Sequence, residues 1–216
     1  MSEIWNLIKK DLLLEWRQKH TFFGVLLYVG CTVFVIYMMA NQPEAKVWNA
    51  LFWIALLFIT VNTVSKSFLQ ESIDRSRYYF TLVSPAKYII AKLIYSILLM
   101  LLIALITLGI FKLLLGDVLL QPGFFVIVLC LGASSLSTLF TFLSAIAAQA
   151  KQSSAMIAIM GFPIAIVMLM ILGRLANAAV SHVLQEGISQ MLLAMAGMNI
   201  LIFGMALILF PFLWKE

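Results

Sequence analysis

The sequence predicts an all-α membrane protein of six transmembrane helices, and three observations carry that expectation. Of 216 residues, 64% are hydrophobic and only 11% are charged, and the mean hydropathy is +1.09. That is too little charge to cover a soluble surface. The apolar residues gather into six runs, each near the ~20 residues that a bilayer core of roughly 30 Å requires. The polar interruptions between them are short, and one, residues 65–92 (SKSFLQESIDRSRYYFTLVSPAKYIIAK), concentrates charges of both signs: Lys66, Glu71, Asp74, Arg75, Arg77, Lys87 and Lys92. Each such charge costs roughly 2.5–3.5 kcal/mol at a bilayer centre. This interruption is therefore expected in water or at the headgroup boundary, as a short cytoplasmic helix that meets a partner.

Taken in order, residues 2–18 alternate with a helical period, placing Trp5, Ile8, Leu12 and Trp16 near one face and Asn6, Lys9, Lys10 and Arg17 elsewhere. Two tryptophans with a basic flank suit a helix lying in the membrane interface. The first span is predicted at 21–40, followed by a short turn with the helix-breaking Pro43, and the second at 48–68. Ser84-Pro85 reads as an N-cap with proline at the first helical position, opening a third span at 88–111.

After the turn holding Gly116-Asp117 and Gln121-Pro122-Gly123, the fourth span is predicted at 124–148. It carries Ser134, Ser137, Thr138 and Thr141 on one side. Small hydroxyl residues let helices approach and bond across an interface; a substrate path and a dimer seam are the other readings. The fifth span, 154–173, contains Gly161-Phe162-Pro163, and its proline predicts a kink. Residues 174–190 (RLANAAVSHVLQEGISQ) are too polar to span alone and are expected to lie in the interface or to dip in and return. The sixth span, 191–213, ends on Trp214-Lys215-Glu216.

Six spans put both ends on one side, and the basic residues set which side that is. Lys9, Lys10, Arg17, Lys19, Lys66, Arg75, Arg77, Lys87, Lys92, Lys151 and Lys215 fall on the side of the termini, against Lys46, Lys112 and Arg174 opposite. Both termini are expected in the cytoplasm. The net charge of +5 belongs to topology and anionic headgroups, with membrane lipid as the partner and no nucleic acid. Cys31 and Cys130 sit in apolar runs as small hydrophobes, and no cleavable signal peptide is expected at the amino end.

Much of the functional reading comes from chemistry the sequence lacks. There is no phosphate loop for ATP, no haem attachment motif and no paired-histidine metal helix. Gly132-Ala133-Ser134-Ser135 lacks the second glycine of a nucleophile elbow. Every charge falls at a predicted span end, which disfavours a proton-coupled pump. A transporter without an energy device of its own must borrow one.

The interruption itself looks like a contact surface. Glu71 and Arg75 stand four apart on one helical face, Ile73, Arg77 and Phe80 form another stripe, and Tyr78 and Tyr79 add bulk of the kind that carries interfaces. Residues 68–92 then run through Leu82-Val83-Ser84-Pro85 into Ile89-Ile90-Ala91-Lys92. Residues 143–166 (LSAIAAQAKQSSAMIAIMGFPIAI) lead from small residues through a polar turn into the proline-bearing span. With the in-plane helix and six spans, this layout resembles the permease subunit of ABC-2-type exporters and, more narrowly, the CcmB family, haem exporter protein B of the cytochrome c maturation system.

That resemblance implies a non-catalytic subunit of the bacterial inner membrane, acting as a homodimer with a separate ATP-binding subunit. It also implies a haem-handling membrane protein and a periplasmic haem chaperone as partners. No cofactor is expected to be bound directly: ATP is used by the partner, and haem is a candidate cargo of the complex. The ATPase contact is assigned to Phe68, Gln70, Glu71, Ile73, Asp74, Arg75 and Arg77, on a coupling helix at about 68–80. The rival readings are a permease exporting lipid, drug or polysaccharide, and a membrane scaffold that moves nothing.

Overall fold

The computed structural model describes residues 2–17, 19–40, 43–69, 84–149, 154–180 and 187–213. They form seven helices: α1 (Ser2–Arg17), α2 (Lys19–Ala40), α3 (Ala45–Leu69), α4 (Pro85–Leu115), α5 (Pro122–Gln149), α6 (Ser154–Val180) and α7 (Ile188–Leu213). Six of them, α2 to α7, are long and apolar enough to cross a membrane. In hydrocarbon only a helix satisfies its own backbone donors and acceptors, so apolar runs of this length have little alternative.

Burial ranks the helices. The span of α5 is 72% buried and that of α3 is 61% buried, whereas those of α2 and α7 are each 17% buried. The bundle is thus organised around α5, and the outer faces of α2, α6 and α7 present apolar side chains such as Leu27, Met39, Ile159, Met170, Leu193 and Ile200. Two glycines permit the tight centre. A Cβ on Gly132 of α5 would lie 2.6 Å from the Trp53 ring, and one on Gly161 of α6 would lie 2.5 Å from the Phe140 ring. Neither neighbour has room to retreat cheaply, so these positions set how closely α3, α5 and α6 approach.

The bundle end remote from α1 is closed by rings. Trp48 stacks on Phe52 with centroids 5.5 Å apart, and Phe111 and Phe125 meet them edge-on from α4 and α5. The α4–α5 turn is pinned to α6, since the amides of Leu120 and Gln121 both donate to the Ala179 carbonyl at 3.0 Å. Gly116 ends α4 at φ +85°, a conformation that favours glycine. Asp117 follows, bonded to Lys112 Nζ at 3.0 Å and to the Leu119 amide at 3.1 Å. The Lys112 bond, aided by that amide, holds the Asp117 carboxyl below its ordinary value.

Two local expectations change. Ser84 has the extended backbone of a cap residue and precedes Pro85, but its side chain makes no capping bond; the fixed φ of proline starts the helix by itself. Nor does α6 stop at residue 173: it runs on through Arg174 to Val180. Its polar residues are distributed so that this is possible. Leu175, Ala176 and Ala179 are buried, Arg174 is exposed, and Asn177 accepts a bond from Asn49 Nδ2 at 3.0 Å. At the far side of this stretch, Gly187 (φ +83°) leads into α7.

Candidate coupling site

The residues the sequence singles out for partner contact fall almost wholly in the link between α3 and α4. Gln70, Glu71, Ile73, Asp74, Arg75 and Arg77 lie outside the described residues, as does most of the expected coupling helix; Phe68 belongs to the last turn of α3. The structure supplies the anchors on either side of that link, which are the end of α3 at Leu69 and the start of α4 at Pro85.

The start of α4 does not stand alone. The α1 helix packs against it, with Leu7 and Ile8 of α1 burying Ala91 and with Ile4 and Ile94 alongside. The face α1 uses is therefore Ile4, Leu7, Ile8 and Asp11, the i, i+3, i+4, i+7 set of a helix. Trp5 and Leu12, expected beside Ile8, are instead 67% and 55% exposed. At 3.6 residues per turn the two sets are centred about a quarter-turn apart: packing on α4 selects the Leu7–Asp11 side and leaves Trp5 and Leu12 outward.

Within that contact lies an ion pair. Asp11 Oδ2 is 3.3 Å from Lys92 Nζ, and the two side chains retain only 7% and 5% of their exposure. Lys10 Nζ approaches the other carboxylate oxygen at 3.1 Å from the partly exposed side. Lys92 is thus not the water-facing charge that the 65–92 interruption suggested. An ammonium in an apolar contact must be matched by an anion, because removing one partner of a buried pair leaves an uncompensated charge costing about 3–5 kcal/mol. Asp11 supplies the match, and α1 and α4 are fastened as one piece beside the link. The signal was present in the sequence as one charge inside each of two apolar stripes: Asp11 among Ile4, Leu7 and Ile8, and Lys92 among Ile89, Leu93 and Tyr95.

Deeper in the bundle the hydroxyl residues of α5 bond across helices. Ser96 of α4 lies 2.8 Å from the Ser137 hydroxyl and accepts a bond from Thr141 at 2.7 Å. Asn199 of α7 donates through Nδ2 to Ser135 Oγ at 2.6 Å, and its Oδ1 accepts from Thr138 at 3.1 Å. Ser134 turns back on its own helix to the Leu131 carbonyl. Of the expected stripe, Ser137, Thr138 and Thr141 are buried bonding groups. Sequence reading missed their partners Ser96 and Asn199, although an asparagine in an otherwise apolar span calls for a polar neighbour. At the opposite end, Asn49 of α3 bonds the Gly173 carbonyl and Asn177 of α6, both at 3.0 Å. Apart from the Ser134 bond, each of these joins two spans.

Among the described residues no three His, Cys, Asp or Glu side chains gather as a metal centre. Among the described residues the arrangement is one of helices fastened by charge pairing and hydrogen bonding. Against known families, the chain matches the CcmB protein profile over residues 2–211. No curated protein matches it. The chain belongs to the CcmB family, the transmembrane permease component of an ABC transporter for cytochrome c maturation, and with its six apolar helices it is a multi-pass protein of the inner membrane.

Proposed function

We propose that this permease is the non-catalytic element that turns a partner's ATP cycle into movement of a membrane bundle. The charged link between α3 and α4 docks on the ATP-binding subunit, with Glu71 and Arg75 at the centre of the contact and Phe68, Gln70, Ile73, Asp74 and Arg77 around them. Both termini and this link lie in the cytoplasm, on the side that the excess of basic residues favours. Two copies act together, each with its own link, and α1 rests at the lipid interface with Trp5 outward.

The observation that carries the reading is the buried Asp11–Lys92 pair. It makes α1 and the first turns of α4 a single stiff unit next to the proposed docking segment. A push on that segment then moves a span and an interfacial helix together instead of being absorbed by a loose end. The bonded hydroxyls of α5 favour a conformational role over a haem passage through this subunit, because Ser137 and Thr141 bond Ser96 of α4 and Thr138 bonds Asn199 of α7. In this reading the stroke serves release of a haem-loaded periplasmic chaperone from a haem-handling membrane partner.

A pull-down in mild detergent, read by mass spectrometry, tests the assignment. Recovery of an ATP-binding subunit together with haem-handling proteins is the expected list. Recovery of an ATPase with lipid- or polysaccharide-export proteins would reassign the cargo, and recovery without any ATPase would overturn the coupling role.

A further inference from the structure

We infer that α4 and α5 form a two-position slide, in which Ser96 steps one helical turn along a ladder of hydroxyls on α5. Its drive rests on the coupling role proposed above, while its travel rests on geometry alone. Ser137, Thr141 and Ser144 follow at intervals of four and three residues, so they share one helical face. At 1.5 Å per residue these rungs stand about 6 and 4.5 Å apart along the axis.

Ser96 occupies the first two rungs, 2.8 Å from Ser137 and 2.7 Å from Thr141. The third is vacant: Ser144 is fully buried and its Oγ has no hydrogen-bond partner among the described residues. A buried hydroxyl without a partner is unfavourable, and in a membrane interior water does not relieve it. Drawing α4 by one turn, about 5 Å, toward the end that carries α1 moves Ser96 from Ser137 and Thr141 to Thr141 and Ser144. Ser137 then becomes the vacant rung. Both registers hold the same number of hydrogen bonds, and intermediate positions hold fewer, which makes the two arrangements discrete and close in energy.

Some of the remaining contacts suit this stroke, and the edge-on contacts of Phe111 with Trp48 and Phe52 are the ones it must remake. The Asp11–Lys92 pair travels intact, carrying α1 with α4. Lys92 precedes Ser96 by one turn, so the stroke brings its ammonium toward the bundle end, where a charge is better solvated. Asn199 keeps α7 on α5 through Ser135 and Thr138, so the α4–α7 contact, which includes the Tyr88–Phe210 ring stack, must shear.

Disulfide trapping in the full complex with its ATP-binding partner tests the slide, in a background carrying Cys31→Ala and Cys130→Ala. One reporter is Ser96→Cys with Ser137→Cys, and the other is Ser96→Cys with Ser144→Cys. Without nucleotide the first pair is expected to cross-link and the second not. A non-hydrolysable ATP analogue is expected to change the ratio of the two yields by about tenfold or more, as a population shift between two states requires. If the Ser96–Ser144 pair never forms, with or without nucleotide, in a complex whose ATPase turnover still responds to the permease, the slide is wrong and the coupling role stands. If that pair forms equally with and without nucleotide, the slide exists and its ATP drive is refuted.

Discussion

Asp11 Oδ2 lies 3.3 Å from Lys92 Nζ in a contact that hides more than nine-tenths of both side chains. This pair decides how α1 belongs to the bundle. Replacing Asp11 by Leu leaves the buried Lys92 ammonium without this counter-ion and is expected to cost about 3–5 kcal/mol, whereas Lys92→Met leaves Asp11 its partly exposed Lys10 partner and is expected to cost less. The double variant Asp11→Leu with Lys92→Met is expected to recover most of that loss, since apolar replacements of a buried pair are often neutral. Unfolding in detergent, followed across the four proteins, checks the cycle; additive losses in the double variant would mean the pair is not the fastening.

Asn199 makes the corresponding test for α7. Because that helix is otherwise mostly apolar and outward-facing, its two bonds to Ser135 and Thr138 fix its register on α5. A double-mutant cycle of Asn199→Ala and Ser135→Ala is expected to give a coupling energy of about 0.6–1.7 kcal/mol, the range for hydrogen bonds between membrane helices. A value of zero would contradict the geometry.

Glycine positions separate packing from propensity. Gly132→Val must displace the Trp53 ring and the Leu172 methyl, and overpacking of this kind costs about 1–3 kcal/mol. Gly109→Ala of α4 meets nothing within 4 Å and is expected to be neutral or to stabilise by up to about 1 kcal/mol through helix propensity. The thermal melt is expected to fall for Gly132→Val and to hold or rise for Gly109→Ala.

The α4–α5 turn is expected to loosen in acid. Asp117 has its carboxyl lowered, chiefly by the Lys112 bond, so its contribution is complete above the ordinary value of 3.8 and is lost as pH falls through the lower folded value. Hydrogen exchange at the Leu119 amide, which Asp117 accepts, should speed up in that window. Asp117→Ala should show the fast rate already at neutral pH.

How much of this was legible in the sequence follows from the physics of each signal. Helix number and type were plain, because a long apolar run with few charges has few other folds available. The hydroxyls of α5 were visible as a stripe, but their roles depended on Ser96 and Asn199, which lie in other spans and share no spacing with them. The Asp11–Lys92 pair was only half legible: each member is a lone charge in an apolar stripe, but they stand 81 residues apart and nothing in the spacing joins them. Helix ends were the weakest reading: Arg174 and Asn177 suggested an interfacial stretch, whereas burial of Leu175, Ala176 and Ala179 carries α6 onward to Val180.

The central claim is that a charged cytoplasmic contact lets a partner's ATP cycle move this bundle. ATPase turnover of the reconstituted complex, with wild type compared against Glu71→Lys and Arg75→Glu, tests it most directly. The account predicts that both reversals abolish the permease's effect on turnover while the protein still inserts and retains the Ser96→Cys/Ser137→Cys cross-link. Wild-type stimulation in both variants would contradict it.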